Sequence, residues 1–205
     1  EGHFYALLGD LEADEDDLNA ADRAYDQAVS LNPNFFYPLL RSGVVNEQQG
    51  RIAKAKRRLN RSLALLETAQ AYNALGAIAE REGNLQQAEE LYARAAQDSG
   101  AAGQTAVTSL VSLRSKSNPA ALVGLRWGIG VDGSLQIEAT NKTPRTLAGI
   151  NLQLRIIDAQ GNPRSHRQPL ARLRPSQVVQ ISTGLRPGSG QVQLSVVSIE
   201  SVQDG

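Results

Sequence analysis

The sequence predicts an α-then-β protein of two domains, a solenoid of helical hairpins over residues 1–116 and a small β-sandwich over residues 120–205. Three observations carry that prediction. Several residue types change in frequency together near position 118, the first part aligns with itself at steps of 34 and 33 residues, and the second part alternates apolar and polar residues at the period of a strand.

The compositional change involves several residue types. All five Tyr and all three Phe lie between Phe4 and Tyr92, and 21 Ala precede residue 119 against 6 after it. Such a stretch favours helix, where Ala loses no side-chain entropy. Six of the eight Pro, from Pro119 to Pro187, fall in the second part beside β-branched runs such as Val178, Val179 and Ile181, which read as strands and turns. Residues 1–116 hold 16 acids and 12 bases and the remainder 5 and 9, so a net charge of zero is the sum of two opposed halves. Ser117 and Pro119 favour a short non-helical linker.

Within the first part, Gly9, Gly43 and Gly76 align, and four positions before them so do Tyr5, Leu39 and Tyr72. Further along each copy come Ala21, Ala55 and Ala88, then Tyr25, Leu59 and Tyr92, then Ala28, Ser62 and Ala95. Small residues let two antiparallel helices approach, and a large residue three or four positions away fills the neighbouring hole. Gly50 and Gly83 fall between the two helices of their copies, where a left-handed residue ends a helix at low cost. Residues 101–114, with Ala102, Ala106, Leu110, Val111 and Leu113 on one stripe, are expected to form a final helix that caps the last hairpin.

This pattern resembles the tetratricopeptide repeat family, whose signature of aromatic, Leu-Gly, Ala, aromatic, Ala and closing Pro is met in order by Tyr5, Leu8-Gly9, Ala21, Tyr25, Ala28 and Pro33. Ser42 stands where the Leu before Gly43 is expected, and the second and third copies lack the closing Pro. Three repeats and a capping helix are expected.

In the second part, Ile150, Leu152, Leu154 and Ile156 alternate with Asn151, Gln153 and Arg155, a strand with one buried face. Further strands are expected near residues 121–131, 134–140, 165–171, 177–183 and 191–200, with Asp132-Gly133 turning the first hairpin. The stretch from Asn141 through Gly161 to Pro175 resembles small immunoglobulin-like modules of bacterial envelope proteins.

Several chemistries find no residues to carry them. Without Cys there is no disulfide, thiolate nucleophile or Cys-ligated metal. His3 and His166 lie in different domains, so neither a two-histidine zinc helix nor a local His–carboxylate relay can be written, and no catalytic residue, metal or cofactor is expected within these residues. Gly128, Gly130 and Gly133 have no helix start after them and do not form a phosphate loop, and Asn141-Lys142-Thr143 is a glycosylation sequon by spelling only. No apolar run approaches the roughly 18 residues of a membrane span, so direct membrane insertion is not expected. The chain opens on Glu1 rather than Met, which points to a processed protein or a piece of a longer one.

Two binding surfaces suggest themselves. The first helices of stacked hairpins line a concave face suited to a peptide or protein partner, and the family pattern puts Tyr37, Leu40, Val44, Asn73 and Ala77 there. Tyr37, Leu40 and Val44 fit core packing equally well, which leaves Asn73 as the better polar contact. The second surface is basic: Arg51, Lys54, Lys56, Arg57, Arg58 and Arg61 crowd one helix, opposite acids such as Asp22 and Asp26 in the repeat before it. Those bases either pair with the acids, as Lys56 or Arg57 with Asp22 or Asp26, or grip an acidic partner, phosphate or anionic lipid. Nucleic acid is not an expected partner, because the patch lacks interleaved aromatics for stacking.

The runs Phe4-Tyr5-Ala6-Leu7, Asn34-Phe35-Phe36-Tyr37 and Thr68 through Gly76 are similar to the C-terminal region of bacterial envelope zinc metallopeptidases related to the beta-barrel assembly-enhancing protease. Their catalytic H-E-x-x-H motif has no counterpart here. The resemblance implies a non-catalytic, partner- or substrate-handling region in the periplasm or cell envelope, with an upstream peptidase domain as one partner. The alternative is a free-standing adaptor or lipoprotein that organises an envelope complex.

Overall fold

The computed structural model describes residues 1–158, 160–188 and 190–203. Two compact units, residues 1–107 and 108–205, divide the chain.

The first unit is helical: α1 (Gly2–Asp14), α2 (Leu18–Leu31), α3 (Phe36–Gln48), α4 (Ile52–Leu65), α5 (Ala69–Arg81), α6 (Leu85–Ala95) and the start of α7 (Ala101–Ser117). Consecutive helices pair as hairpins, α1 with α2, α3 with α4 and α5 with α6. Each hairpin closes on the glycine and large residue that the repeat sets against each other. A Cβ built on Gly9 would stand 2.5 Å from the Tyr25 ring, on Gly43 2.6 Å from Leu59, and on Gly76 2.7 Å from Tyr92. Gly50 and Gly83 end the first helices of their hairpins at φ +73° and +78°. The first hairpin places Asp16 in the same role at φ 63°, a conformation that suits Gly better than any L-residue.

Helix starts are secured locally. Asp17 accepts the Ala20 N–H at 2.8 Å, Thr68 the Ala71 N–H at 3.3 Å and Asn84 the Gln87 N–H at 3.4 Å. Between hairpins, Ala55 and Leu59 of α4 pack with Ala71, Leu75 and Ile78 of α5, so the second helix of one repeat buries the first helix of the next. Ala106 of α7 packs with Tyr72 and Ala95 on the last hairpin. Val111 and Leu113, later members of the apolar stripe expected along that helix, are buried and belong to the second unit.

The second unit begins inside α7, and Pro119 then opens a single 3-10 turn, Pro119–Ala121, where a non-helical linker is expected. Six strands follow among the described residues: β1 (Val123–Ile129), β2 (Leu135–Asn141), β3 (Thr146–Ile157), β4 (Pro163–Leu173), β5 (Val178–Ser182) and β6 (Gln191–Gln203). They form two three-stranded antiparallel sheets, in the orders β1-β2-β5 and β4-β3-β6. Leu135, Ile137 and Ala139 of β2 are buried, as are Leu147, Ile150, Leu152 and Leu154 of β3, so the central strand of each sheet supplies its core. The β1–β2 turn is held by Asp132, whose Oδ1 accepts the Ser134 N–H and hydroxyl at 3.0 and 2.7 Å, with Gly133 at φ +77°. Asn141, the sequon asparagine, is 1 % exposed and donates to the Arg145 and Leu173 carbonyls, a structural role that leaves its amide inside the fold.

Candidate functional site

The first helices of the second and third hairpins and the start of α7 border a groove of about 430 Å³. Leu40, Arg41, Val44 and Glu47 line it from α3, Gln70, Asn73, Ala74 and Ala77 from α5, and Ala101, Ala102 and Thr105 from α7. Both α3 and α5 present positions one turn apart, and the repeat step of 33 residues sets Leu40 on Asn73, Arg41 on Ala74 and Val44 on Ala77. Alanines at Ala74, Ala77, Ala101 and Ala102 keep the walls short and leave the volume open. Four residues expected on the concave face, Leu40, Val44, Asn73 and Ala77, are thus brought together.

Asn73 differs from its surroundings. Its Oδ1 is buried and accepts no hydrogen bond. Two other buried amide oxygens, on Asn46 and Gln49, share that condition, but their amide nitrogens donate to Asp22 and Asn19. Asn73 makes no side-chain hydrogen bond among the described residues. A buried acceptor without a donor costs about 1–3 kcal/mol, a cost that a ligand N–H removes.

Tyr37, the fifth expected residue, is not among the lining residues; its repeat equivalent Gln70 is. Its hydroxyl donates to Asp10 Oδ2 at 2.6 Å, while Asp10 Oδ1 accepts from Tyr25 at 2.7 Å and from Arg41 Nε at 2.9 Å. One carboxylate of α1 therefore ties α2 and α3 together and fixes Arg41 at the groove edge. Burial and the Asp10 carboxylate push the Tyr37 hydroxyl up to about 12, and push Tyr25 up by the same causes. At the groove's other end Glu47 pairs with Arg81.

The basic helix is mostly engaged within the fold. Lys54 Nζ reaches Asp22 and Asp26, each at 2.8 Å, Arg51 reaches Asp22 at 3.3 Å, and Arg58 pairs with Asp26. Arg61 donates to the Pro33 carbonyl at 2.6 Å, and Arg57 is exposed. The helix-to-helix pairing foreseen between α2 and α4 exists, but through Lys54 and Arg58 rather than Lys56 and Arg57. Residues 51, 54 and 58 share the face turned to α2, and Lys56 turns to Glu82 at 2.5 Å. Asp22 is 5 % exposed and also accepts from Ser42 at 2.9 Å and Asn46 at 2.7 Å. Burial raises its carboxyl, but the Lys54, Asn46 and Ser42 hydrogen bonds together hold it below its ordinary 3.8.

His3 packs against Phe35 with ring centroids 4.6 Å apart and the planes tilted by 60°, and His166 is exposed in β4. No group of three or more His, Cys, Asp or Glu among the described residues is placed to hold a metal ion. No helix among them is long and apolar enough to cross a membrane.

The family model of the tetratricopeptide repeat matches residues 2–35 and 69–97. The chain carries tetratricopeptide repeats. The middle hairpin lies outside the matched ranges but keeps their register, with Leu39, Ser42 and Leu59 at the signature positions that Tyr72, Leu75 and Tyr92 hold in the third repeat. The solved structure of Pseudomonas aeruginosa PilF is similar with a TM-score of 0.54 at 16% identity, over 58% of this chain and 55% of that one. The MamA protein is similar with a TM-score of 0.47 at 25% identity, over 57% and 63%. The chain thus spans less than two thirds of each of these two structures. No curated protein matches it. These repeats are a protein-interaction fold, and their first helices carry the groove.

The repeat signature does not select Arg41, Glu47, Gln70 or the α7 wall. For Arg41 and Gln70 a signal existed, since the 33-residue step aligns them with Ala74 and Tyr37 on the same helix face. For Ala101, Ala102 and Thr105 none did, because only the docking of α7 brings them to the groove.

Proposed function

We propose that this chain is a non-catalytic scaffold whose tetratricopeptide groove binds a segment of a protein partner, with Asn73 receiving a backbone N–H of that segment and the alanine walls receiving its small or apolar side chains. The observation that carries the reading is the buried, donorless Asn73 Oδ1 in a groove whose neighbouring walls are Leu40, Val44, Ala74 and Ala77. Photo-crosslinking in the native host tests it, with a benzoylphenylalanine at position 77 and, as a control, at position 57. A discrete adduct from position 77 that Asn73→Ala weakens is expected. Equal adducts from both positions, or none from position 77, overturn the reading.

The setting we propose is the C-terminal region of a bacterial envelope zinc metallopeptidase, acting in the periplasm or cell envelope beside an upstream peptidase domain. Its support is the similarity of the runs Phe4–Leu7, Asn34–Tyr37 and Thr68–Gly76 to that family. Reading the gene upstream of Glu1 tests it: an export signal followed by H-E-x-x-H supports the peptidase setting, and a signal or lipidation cysteine with only a short spacer favours the adaptor. Two antiparallel sheets with buried central strands support an immunoglobulin-like sandwich as the partner domain.

A further inference from the structure

Along β1 and the two residues after it, Val123, Leu125, Trp127, Ile129 and Val131 alternate with Gly124, Arg126, Gly128 and Gly130. The row reads nearly the same in both directions from Trp127: Leu125 answers to Ile129, Gly124 to Gly130 and Val123 to Val131. β1 is an edge strand, paired with β2 alone. The Gly130 N–H donates to the Ser134 carbonyl and the Lys142 N–H to the Leu122 carbonyl. Even-numbered residues of β1 therefore hydrogen-bond β2, and the backbone N–H and C=O of Leu125, Trp127 and Ile129 turn to the open edge. Those groups have no hydrogen-bond partner among the described residues.

Sheet edges are ordinarily blunted by Pro, charge, irregularity or short length. β4 carries Pro163, Arg164, Arg167 and Pro169, β5 has 5 residues, and the pairing of β6 shifts register at Asn151/Leu152. The core-facing row of β1 has no such defence. Trp127 and Ile129 share the face of the buried Ile137 and Leu135, yet are 47 and 53 % exposed. The opposite face of the strand is nearly bare. A Cβ on Gly128 meets nothing within 4 Å, and a groove of about 350 Å³ lies there, bordered by Arg126, Gln136, Glu138 and Gln180. Each copy of the chain brings one base and one acid to this groove, so two copies meet here without net charge.

We infer that β1 pairs antiparallel with β1 of a second copy about a two-fold axis at Trp127, joining two β1-β2-β5 sheets into one. A two-fold contact requires a surface that matches itself when turned round, and the row centred on Trp127 does so. On the core side Trp127 meets Trp127 of the other copy and Leu125 meets Ile129, each exchanging its N–H and C=O. On the outer side Arg126 of each copy lies over Gly128 of the other, in the groove that the missing side chain leaves. Val123 is buried, so the pairing spans residues 125–129. This surface belongs to the second unit and does not depend on the reading of the helical groove.

The intact chain is its own probe. Sedimentation is expected to show a monomer that becomes a dimer as concentration rises through the micromolar range, as suits a small interface. Emission from Trp127, the one Trp, is expected to move to shorter wavelength in step. Ile129→Pro removes an N–H of the open edge and leaves the β2 ladder whole, and Trp127→Lys puts a charge on that edge. Each is expected to abolish the dimer, and an unchanged thermal transition confirms that each variant folds. The chain has no Cys, so single replacements report the register. Trp127→Cys sets its Cα about 5.5 Å from its equivalent across the axis, within disulfide range, and is expected to crosslink under mild oxidation. Ile129→Cys, exposed to a similar degree but facing Leu125, is not. A chain that stays monomeric throughout, a dimer that both edge variants leave intact, or crosslinking at 129 as readily as at 127 overturns the inference.

Discussion

Gly76 faces the ring of Tyr92 so closely that a Cβ on the glycine would stand 2.7 Å from Cδ1 and Cε1. Tyr92 is 3 % exposed and its hydroxyl donates to Glu80 at 3.0 Å, so the ring is held at both ends and cannot step aside. Gly76→Ala is therefore expected to destabilise the chain by about 1–3 kcal/mol, the range for overpacking a filled core. A thermal or denaturant transition checks it. Gly83→Ala is the contrast: open space surrounds that position, so its smaller loss, about 1 kcal/mol, comes from φ +78° alone.

Asp16 occupies the left-handed position that Gly50 and Gly83 take in the other two hairpins. Among the described residues no hydrogen bond from its side chain repays the conformation. Asp16→Gly is expected to raise stability by about 0.5–1 kcal/mol, the left-handed strain relieved outweighing the chain entropy that Gly adds to the unfolded state. An unchanged or lowered melting temperature would show that the turn tolerates Asp without strain.

The elements that the sequence shows plainly are those in which one residue decides one contact. The three glycine and large-residue pairs recur at fixed steps, so each hairpin is visible without its neighbours, and the alternation from Ile150 to Ile156 marks β3 because a strand with one buried face must alternate. Interactions that depend on how helices cross are not visible in this way. The acids of α2 and the bases of α4 are plain in the sequence, yet only the helix-to-helix registration decides that Lys54 and Arg58 face Asp22 and Asp26. Asp10 joins residues 15, 27 and 31 positions away, a convergence no local pattern encodes. The groove is half legible for the same reason: Asn73 and Ala77 follow from repeat register, and the α7 wall follows from docking.

Asp22 gives the helical unit an acid-sensitive joint. Its carboxyl is depressed in the folded chain, so the unfolded state takes up the proton first as pH falls. The stability it contributes is present at neutral pH and is lost as pH drops below about 4. Asp22→Asn is expected to lower stability at pH 7 and to flatten the acid limb of the stability curve. If the variant and the parent show parallel acid limbs, the loss arises at other carboxylates.

Tyr25 and Tyr37 act at the opposite limit. Both hydroxyls are raised by burial and by the shared Asp10 carboxylate, Tyr37 to about 12. The folded chain keeps protons that an unfolded tyrosine releases near pH 10, so stability is full below about pH 10 and falls as pH rises toward the folded values. Tyr37→Phe removes one titrating group and is expected to make the alkaline decline shallower, at a cost near neutrality of about 1 kcal/mol for the hydrogen bond to Asp10. Alkaline denaturation followed by far-ultraviolet dichroism separates the two effects.

Asn73 is where stability and binding should diverge. Its buried carbonyl lacks a donor and its neighbours Ala74 and Ala77 are apolar, so a side chain of similar size without polar atoms suits the free protein better. Asn73→Leu is expected to raise the melting temperature, by the equivalent of about 1 kcal/mol, and at the same time to abolish the crosslink from position 77. A residue retained for packing would show the reverse, a loss of stability with the crosslink intact. A variant that is both more stable and unable to bind identifies Asn73 as a polar group kept for a partner.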